Sequence, residues 1–416
     1  MDECKLKKYA DLAVYKGVNV QKGQLVVISC PVENFIFGRL VQKSAYEAGA
    51  SNVIINWEDY EVSREFYLNA SDFWIENYPS LFHHGFEEYD LKGACYIAII
   101  SEYPNAFENV DLERISLFSK KSYEKLESHI AKKRSYELRW SILAVPSKEW
   151  ATKVFPNLNE EKALKSLWDV ILKGARADGE NPLEDWENHG RNFEFYEILL
   201  NDSNFEYLYF KNNIGTDLKV GMPKNYLFIG GVVKDKNGIS FFPNIPTEEI
   251  FSAPHKEKVN GKLVASKPLN YKGSIIEDFY LVFKDGKIID FDARIGKEFL
   301  KSIIDTDEGT RYLGEIALVS NKSPLAMSNI LFYNTLFDEN TSCHIGIGNA
   351  NLNNLLGGVN LSDEEIKEAG LNKSSVLINI TFGTEDLEVI GIKYSGEEVA
   401  LMRNGDFILG DIIKSE

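Results

Sequence analysis

The segment Leu25-Val-Val-Ile-Ser-Cys30 is an unbroken apolar run closed by Pro31. A strand buried on both faces reads this way, because the helices of an α/β fold cover both sides of a parallel sheet. Before it, Leu6, Tyr9, Ala10, Ala13 and Val14 follow the spacing of a helix with one apolar face, and Gly17 is a ready stop. After it, a second helix runs to about Ala48 and closes at Gly49, and Val53-Ile-Ile-Asn-Trp57 is the next strand. Cys95-Tyr-Ile-Ala-Ile-Ile100 and Ser141-Ile-Leu-Ala-Val145 repeat the theme, with helical stretches between them. This rhythm predicts an open, mostly parallel α/β sheet. The region carries neither GxGxxG nor GxxxxGK[ST], so a nucleotide-binding reading has no local support.

Between about Glu161 and Leu200 the pattern is helical, with Leu164, Leu167, Trp168, Ile171 and Leu172 on one face. From Phe205 onward the texture changes. Phe205-Glu-Tyr-Leu-Tyr-Phe210 reads as a strand, and hairpins are expected at Asp285-Gly286 (279–291) and Asn404-Gly405 (399–409). The expected fold is thus α/β followed by α+β. Residues 1–200 form an N-terminal α/β domain with a helical connection, and 201–416 form a β-rich C-terminal domain.

The 416 residues carry 46 Lys+Arg against 63 Asp+Glu, a net −17. Such a field repels phosphate backbones, which argues against nucleic acid or an anionic membrane as the main partner. The charged start reads as part of a helix and not as a secretory signal, and no apolar run approaches the ~18 residues of a membrane span. The four cysteines, Cys4, Cys30, Cys95 and Cys343, are far apart and form no CxxC pair. That pattern fits a reducing cytoplasm and excludes a cysteine zinc site.

Convergent polar groups are concentrated in the second half. Glu249 follows a Pro-Thr start signal, so its plain reading is an acid in the first turn of a helix. Glu315 sits inside the apolar run Leu313-Gly-Glu-Ile-Ala-Leu-Val319, where a carboxylate needs a cation or strong donor beside it. Glu339 and His344 stand five apart, next to Asp338 and Asn340. Carboxylates with one imidazole suit divalent zinc, cobalt or manganese, although no spacing among these segments is diagnostic by itself. His83, His84, His129, His189 and His255 read as surface or packing residues. Gly346–Asn349 and Gly357-Gly358 read as turns before anion nests.

Taken together, three segments resemble the signature blocks of the aminopeptidase T/aminopeptidase S/PepS family of metallo-aminopeptidases. They are Asn244-Ile-Pro-Thr-Glu-Glu-Ile-Phe-Ser-Ala-Pro254, Leu313-Gly-Glu-Ile-Ala-Leu-Val319 and Phe332-Tyr-Asn-Thr-Leu-Phe-Asp-Glu-Asn-Thr-Ser-Cys-His344. Gly215-Thr-Asp-Leu218 fits the same family, and the likeness spans nearly the whole chain. The resemblance implies a two-domain cytoplasmic subunit, a homodimer, a pair of divalent metals in the C-terminal domain, and release of N-terminal amino acids from peptides. It maps the metal ligands onto Glu249, Glu315, Glu339 and His344. Glu315 is then the general base or a metal-bridging ligand, its apolar flanks raising its pKa.

One block departs from the family. After Gly370-Leu-Asn-Lys-Ser374, where the family carries a ligating His-x-Asp pair, this chain has Leu377-Ile-Asn379. A tyrosine usual seven residues after the motif histidine is Asn351. Leucine has no lone pair to offer and an asparagine carbonyl is a weaker ligand than a carboxylate, so at least one of the two ions is expected to be lost. Glu385 and Asp386 are close in sequence and are the acids able to substitute for them. Two readings follow: a metal-dependent aminopeptidase with an altered, mononuclear site, and a non-catalytic paralogue that binds peptides or assembles as a dimer.

Overall fold

The apolar run at Leu25 forms strand β1 (Leu25–Pro31), central in a five-stranded sheet. It pairs in parallel with β2 (Asn52–Glu58) on one side and β3 (Cys95–Ile100) on the other. β4 (Trp140–Ala144) pairs in parallel with β3, and the two-residue strand Asn244–Ile245 with β4. The strand sequence therefore reverses between β1 and β3. Here the computed structural model describes residues 2–78, 81–104, 106–271 and 274–408, with the backbone alone over 81–84. The side chains of His83 and His84, and Leu409 at the end of the last expected hairpin, lie outside it.

Helix α1 (Glu3–Asp11) is capped by Asp2, whose carboxylate accepts from the Cys4 N–H at 3.0 Å. A wider turn continues it to Gly17, where a side chain would come within 2.8 Å of Ser141 Oγ on β4. The expected stop is thus also a close approach. Helix α2 (Phe35–Glu47) follows β1. Cys30 and Cys95 are buried and unpaired, as small hydrophobes in their strands. His129, expected to pack, does so: its ring lies between Phe86 and Tyr96, with Nδ1 3.0 Å from Asp90.

The chain divides into two compact units, Met1–Asn188 with Val232–Pro246 and His189–Gly231 with Thr247–Glu416. The second contains a nine-stranded antiparallel sheet in which Phe205–Lys211 lies between Asp217–Gly221 and Glu388–Lys393. Both expected hairpins are present. Ser274–Lys284 turns into Lys287–Ile295 through Asp285-Gly286, and Glu398–Arg403 into Asp406–Phe407 through Asn404-Gly405. All four turn residues have positive φ, the geometry that matches the twist of the flanking strands.

A second sheet in this unit carries the chemistry. Its strands run in the order Leu377–Thr381, His344–Gly348, Leu313–Val319, Glu249–Ser252 and Ile229–Gly230, all antiparallel. Strand side chains alternate between faces, and one face is hydrocarbon. Ile250, Ile316, Leu318, Ile345, Ile347, Ile378 and Ile380 all enter the unit's large core. The opposite face receives Glu249, Glu315, His344 and Asn379.

Candidate metal centre

Register decides which polar groups meet. Glu315 is opposite Gly346, which is opposite Asn379, so these three form one row across three strands. His344 lies opposite Ala317 in the adjoining row, and Glu249 opposite Val319 in the next. Gly346 is what allows the row to close. A side chain there would sit 2.9 Å from Glu315 Cβ, 3.0 Å from Asn379 Oδ1 and 2.5 Å from Leu377 Cδ1.

Glu249, Glu315 and His344 are all buried, and each offers a ligand atom within 4.8 Å of the other two. His344 Nε2 stands 3.2 Å from Glu249 Oε2 and 3.5 Å from Glu315 Oε1. His344 Nδ1 lies 3.2 Å from the Ser342 carbonyl, which only accepts, so Nδ1 carries the proton and Nε2 faces the carboxylates. Yet Nε2 and Glu249 Oε2 make no well-directed hydrogen bond, and both are buried without a partner. Asn379 Oδ1 is a third buried orphan, while its Nδ2 donates to Glu339 Oε2 at 3.2 Å. Buried orphans are rare and call for an ion, a water or a function. Two carboxylates and a neutral imidazole are a donor set for a divalent cation.

Electrostatics point the same way. Burial, then the Glu249 charge, raises the Glu315 carboxyl, although His344 beside it opposes the shift. Glu339 is raised further, again by burial first and then by Glu249. Burial alone would lower the His344 imidazole, but the carboxylates of Glu249 and Glu315 lift it well above its ordinary value. Without a cation, then, the cluster holds protons in excess, and a divalent ion would replace them.

The ligand-bearing segments are pinned together by Asn340, which is fully buried. Its Oδ1 accepts from the Glu248 N–H at 2.5 Å and its Nδ2 donates to the Leu336 carbonyl at 2.8 Å. The neighbour of Glu339 thereby fixes the neighbour of Glu249. Sequence reading saw Asn340 only as a polar bystander, since its partner is 92 positions away. Asp338 is likewise structural: it accepts from the N–H groups of Phe332 and Asn334. The helical reading of Glu249 is corrected, because the residue opens a strand. Glu385 and Asp386 stand outside the three-residue group, and Asp386 accepts from the Asn213 N–H and the Thr384 hydroxyl. Asn351 caps a short turn by accepting from the Asn353 N–H.

This donor set suits a divalent cation, and the chain belongs to the thermophilic metalloprotease (M29) family, whose profile matches residues 2–407. Relatives agree over nearly their full length. Aminopeptidase AmpS of Bacillus subtilis (strain 168) is 40% identical over 403 residues, covering 97% of this chain and 98% of the relative. Aminopeptidase T of Thermus aquaticus is 35% identical over 404 residues, with the same coverage. The solved structure of wild-type AmpT from Thermus thermophilus superposes with a TM-score of 0.90 at 34% identity, covering 97% of this chain and 99% of that one. Family and relatives together place the protein among the metallo-aminopeptidases. Among the described residues, no helix is long and apolar enough to cross a membrane.

Proposed function

We propose that this protein removes N-terminal amino acids from peptides at a centre that holds one divalent ion. The observation that carries the reading is the trio Glu249, Glu315 and His344, with two of its ligand atoms buried and unpartnered. These three hold the ion, and Glu339 stands beside them as a fourth carboxylate, oriented by Asn379. A divalent cation held there, zinc, cobalt or manganese, would supply a water acidified toward neutral pH and a Lewis acid for the scissile carbonyl. Ser342 fixes the imidazole tautomer so that Nε2 is free to ligate. The Glu315 oxygen not engaged by the ion would take the proton of the attacking water and return it to the departing amine. The water oxygen adds to the carbonyl carbon, and the carbon–nitrogen bond then breaks as the amine leaves with the returned proton.

The side facing Leu377 supports one ion in place of two. Leu377 Cδ1 lies over Gly346 on the ligand face, where an imidazole would complete a second set. Cytoplasmic location and a homodimer complete this reading, on the family resemblance.

Two measurements on one preparation test it. Elemental analysis after equilibration with zinc or cobalt should give one ion per chain, and aminoacyl anilides should release their amine in a chelator-sensitive way. No ion and no turnover at any metal loading would leave the second reading, a peptide-binding paralogue without chemistry.

A further inference from the structure

The first unit holds a cavity of about 730 Å³, within the range of small-molecule sites. It is lined by residues that directly follow the parallel strands: Glu33 and Asn34 after β1, Tyr60 and Arg64 after β2, Tyr103 after β3, and Ser147 after β4. The reversal of strand order lies between β1 and β3, and residues that follow both of these strands line the cavity. In open α/β sheets a crevice outside the carboxyl ends of the strands, at such a switch point, is where ligands bind. None of its lining residues belongs to the metal centre.

The chemistry of the walls narrows the ligand. The Tyr60 and Tyr103 rings pack with centroids 4.2 Å apart and planes 34° apart. The Tyr103 hydroxyl donates to Glu33 Oε2 at 2.9 Å, aligning that carboxylate beside the ring pair. Asn34 Nδ2 donates to the Pro146 carbonyl at 3.3 Å, while its Oδ1 is buried with no hydrogen-bond partner. A carboxylate, an orphaned carbonyl oxygen and two electron-rich rings together want a cationic donor. Phosphate is a poor fit: the carboxylates of Glu33, Glu61 and Glu149 outnumber the cations of Arg64 and Lys148, and Lys148 is engaged by Glu160 at 2.8 Å. Ile36, Phe37 and Trp168 supply an apolar wall.

We infer that this crevice binds a small organic ligand bearing a primary ammonium group on an apolar body, namely a free amino acid or the amino end of a short peptide. Glu33 and Asn34 accept from the ammonium, the tyrosine pair faces its charge, and Arg64, which also meets the Glu65 carboxylate at 3.8 Å and the Glu108 carbonyl at 3.3 Å, lies in the same wall for a carboxylate at the other end. This site does not depend on the metal centre.

The test is calorimetric titration of the full chain, carrying Glu315→Gln so that nothing is hydrolysed. The probes are L-phenylalanine, L-phenylalaninamide, N-acetyl-L-phenylalanine and adenosine monophosphate. L-Phenylalanine or its amide should bind, and the acetylated and nucleotide probes should not. Adding Glu33→Gln should weaken binding about tenfold or more, as expected for losing a charge-assisted hydrogen bond. Tyr103→Phe, which only frees the Glu33 carboxylate, should weaken it less. Tighter binding of the acid than the amide identifies a free amino acid held by Arg64, and equal binding identifies a peptide amino end. The inference fails if no probe binds, if the acetylated or nucleotide probe binds as well as the amine, or if Glu33→Gln binds like its parent.

Discussion

The His344 strand has two neighbours that share one face and differ on the other. Toward the core they are equivalent: Ile316 and Leu318 on one side and Ile378 and Ile380 on the other fill the same hydrocarbon cluster. Toward the ligand face, one strand contributes Glu315 and the other Leu377 and Asn379. A period of two makes the faces of a strand independent, so packing constrains one set of side chains and chemistry the other. The Leu377 strand keeps its register and its core residues while offering only a hydrocarbon and a neutral amide. The difference teaches that the core face and the ligand face are separately encoded: a strand that turns no ionisable group toward the ligand face keeps its register and its core residues.

The sharpest way to break this contrast is on the side that retains its ligands. His344→Ala or Glu249→Ala should lower metal affinity more than 100-fold, since even residues behind the ligands cost about 10–100-fold. Elemental analysis and chelator competition would read the loss. A variant that holds the ion as well as the parent would remove the trio from the centre. Affinity should also fall on acidification, because the raised carboxyls of Glu315 and Glu339 then keep the protons that a cation must displace.

The opposite side should respond by gain. Leu377→His with Asn379→Asp should raise the stoichiometry from one ion to two, and raise turnover about tenfold or more by providing a second cation at the carbonyl. Unchanged stoichiometry would mean that the Leu377 strand is not the empty half. A milder probe of the seam between the two sides is Gly346→Ala. Its methyl would come within 3.0 Å of both Glu315 Cβ and Asn379 Oδ1, forcing one of them to shift. Metal affinity should fall about tenfold, by analogy with other disturbances behind a ligand shell.

Much of this was legible in the sequence because the decisive signals are local. The runs at Leu25, Val53, Cys95 and Ser141 each announce a strand, and the turn pairs Asp285-Gly286 and Asn404-Gly405 each announce a hairpin. Glu315 stood out because it is a carboxylate inside a hydrocarbon run. Glu249 was read as a helix start because Pro-Thr-Glu-Glu carries that local grammar. Its strand is set instead by pairing with Val319, 70 residues away. The same non-locality hides the return of Val232–Pro246 to the first unit, where Asn244–Ile245 is too short to show a period and pairs with β4. The staple made by Asn340 and the crevice beyond the parallel strands exist only once distant segments meet.

The smallest expected effect concerns what anchors the segment that leads into the Leu377 strand. Asp307 accepts from the Ser375 N–H at 2.8 Å, from both the Ser374 and Ser375 hydroxyls, and from the Thr310 N–H, just before that strand begins. Burial would raise its carboxyl, but these donors outweigh it and hold the value down to about 2. The folded-state value thus lies below the unfolded one, near 3.9. The contribution is fully present above that unfolded value and is lost as pH falls through about 2. Asp307→Ala should therefore destabilise the protein by about 1–2 kcal/mol near neutral pH, the scale of hydrogen bonds to a partly exposed charged acceptor. The gap between parent and variant in denaturant midpoint should close as the solution is taken from pH 5 toward pH 2. A gap that stays constant over that interval would show that the aspartate acts by its shape alone, and that the Leu377 strand is held by its apolar face without electrostatic help.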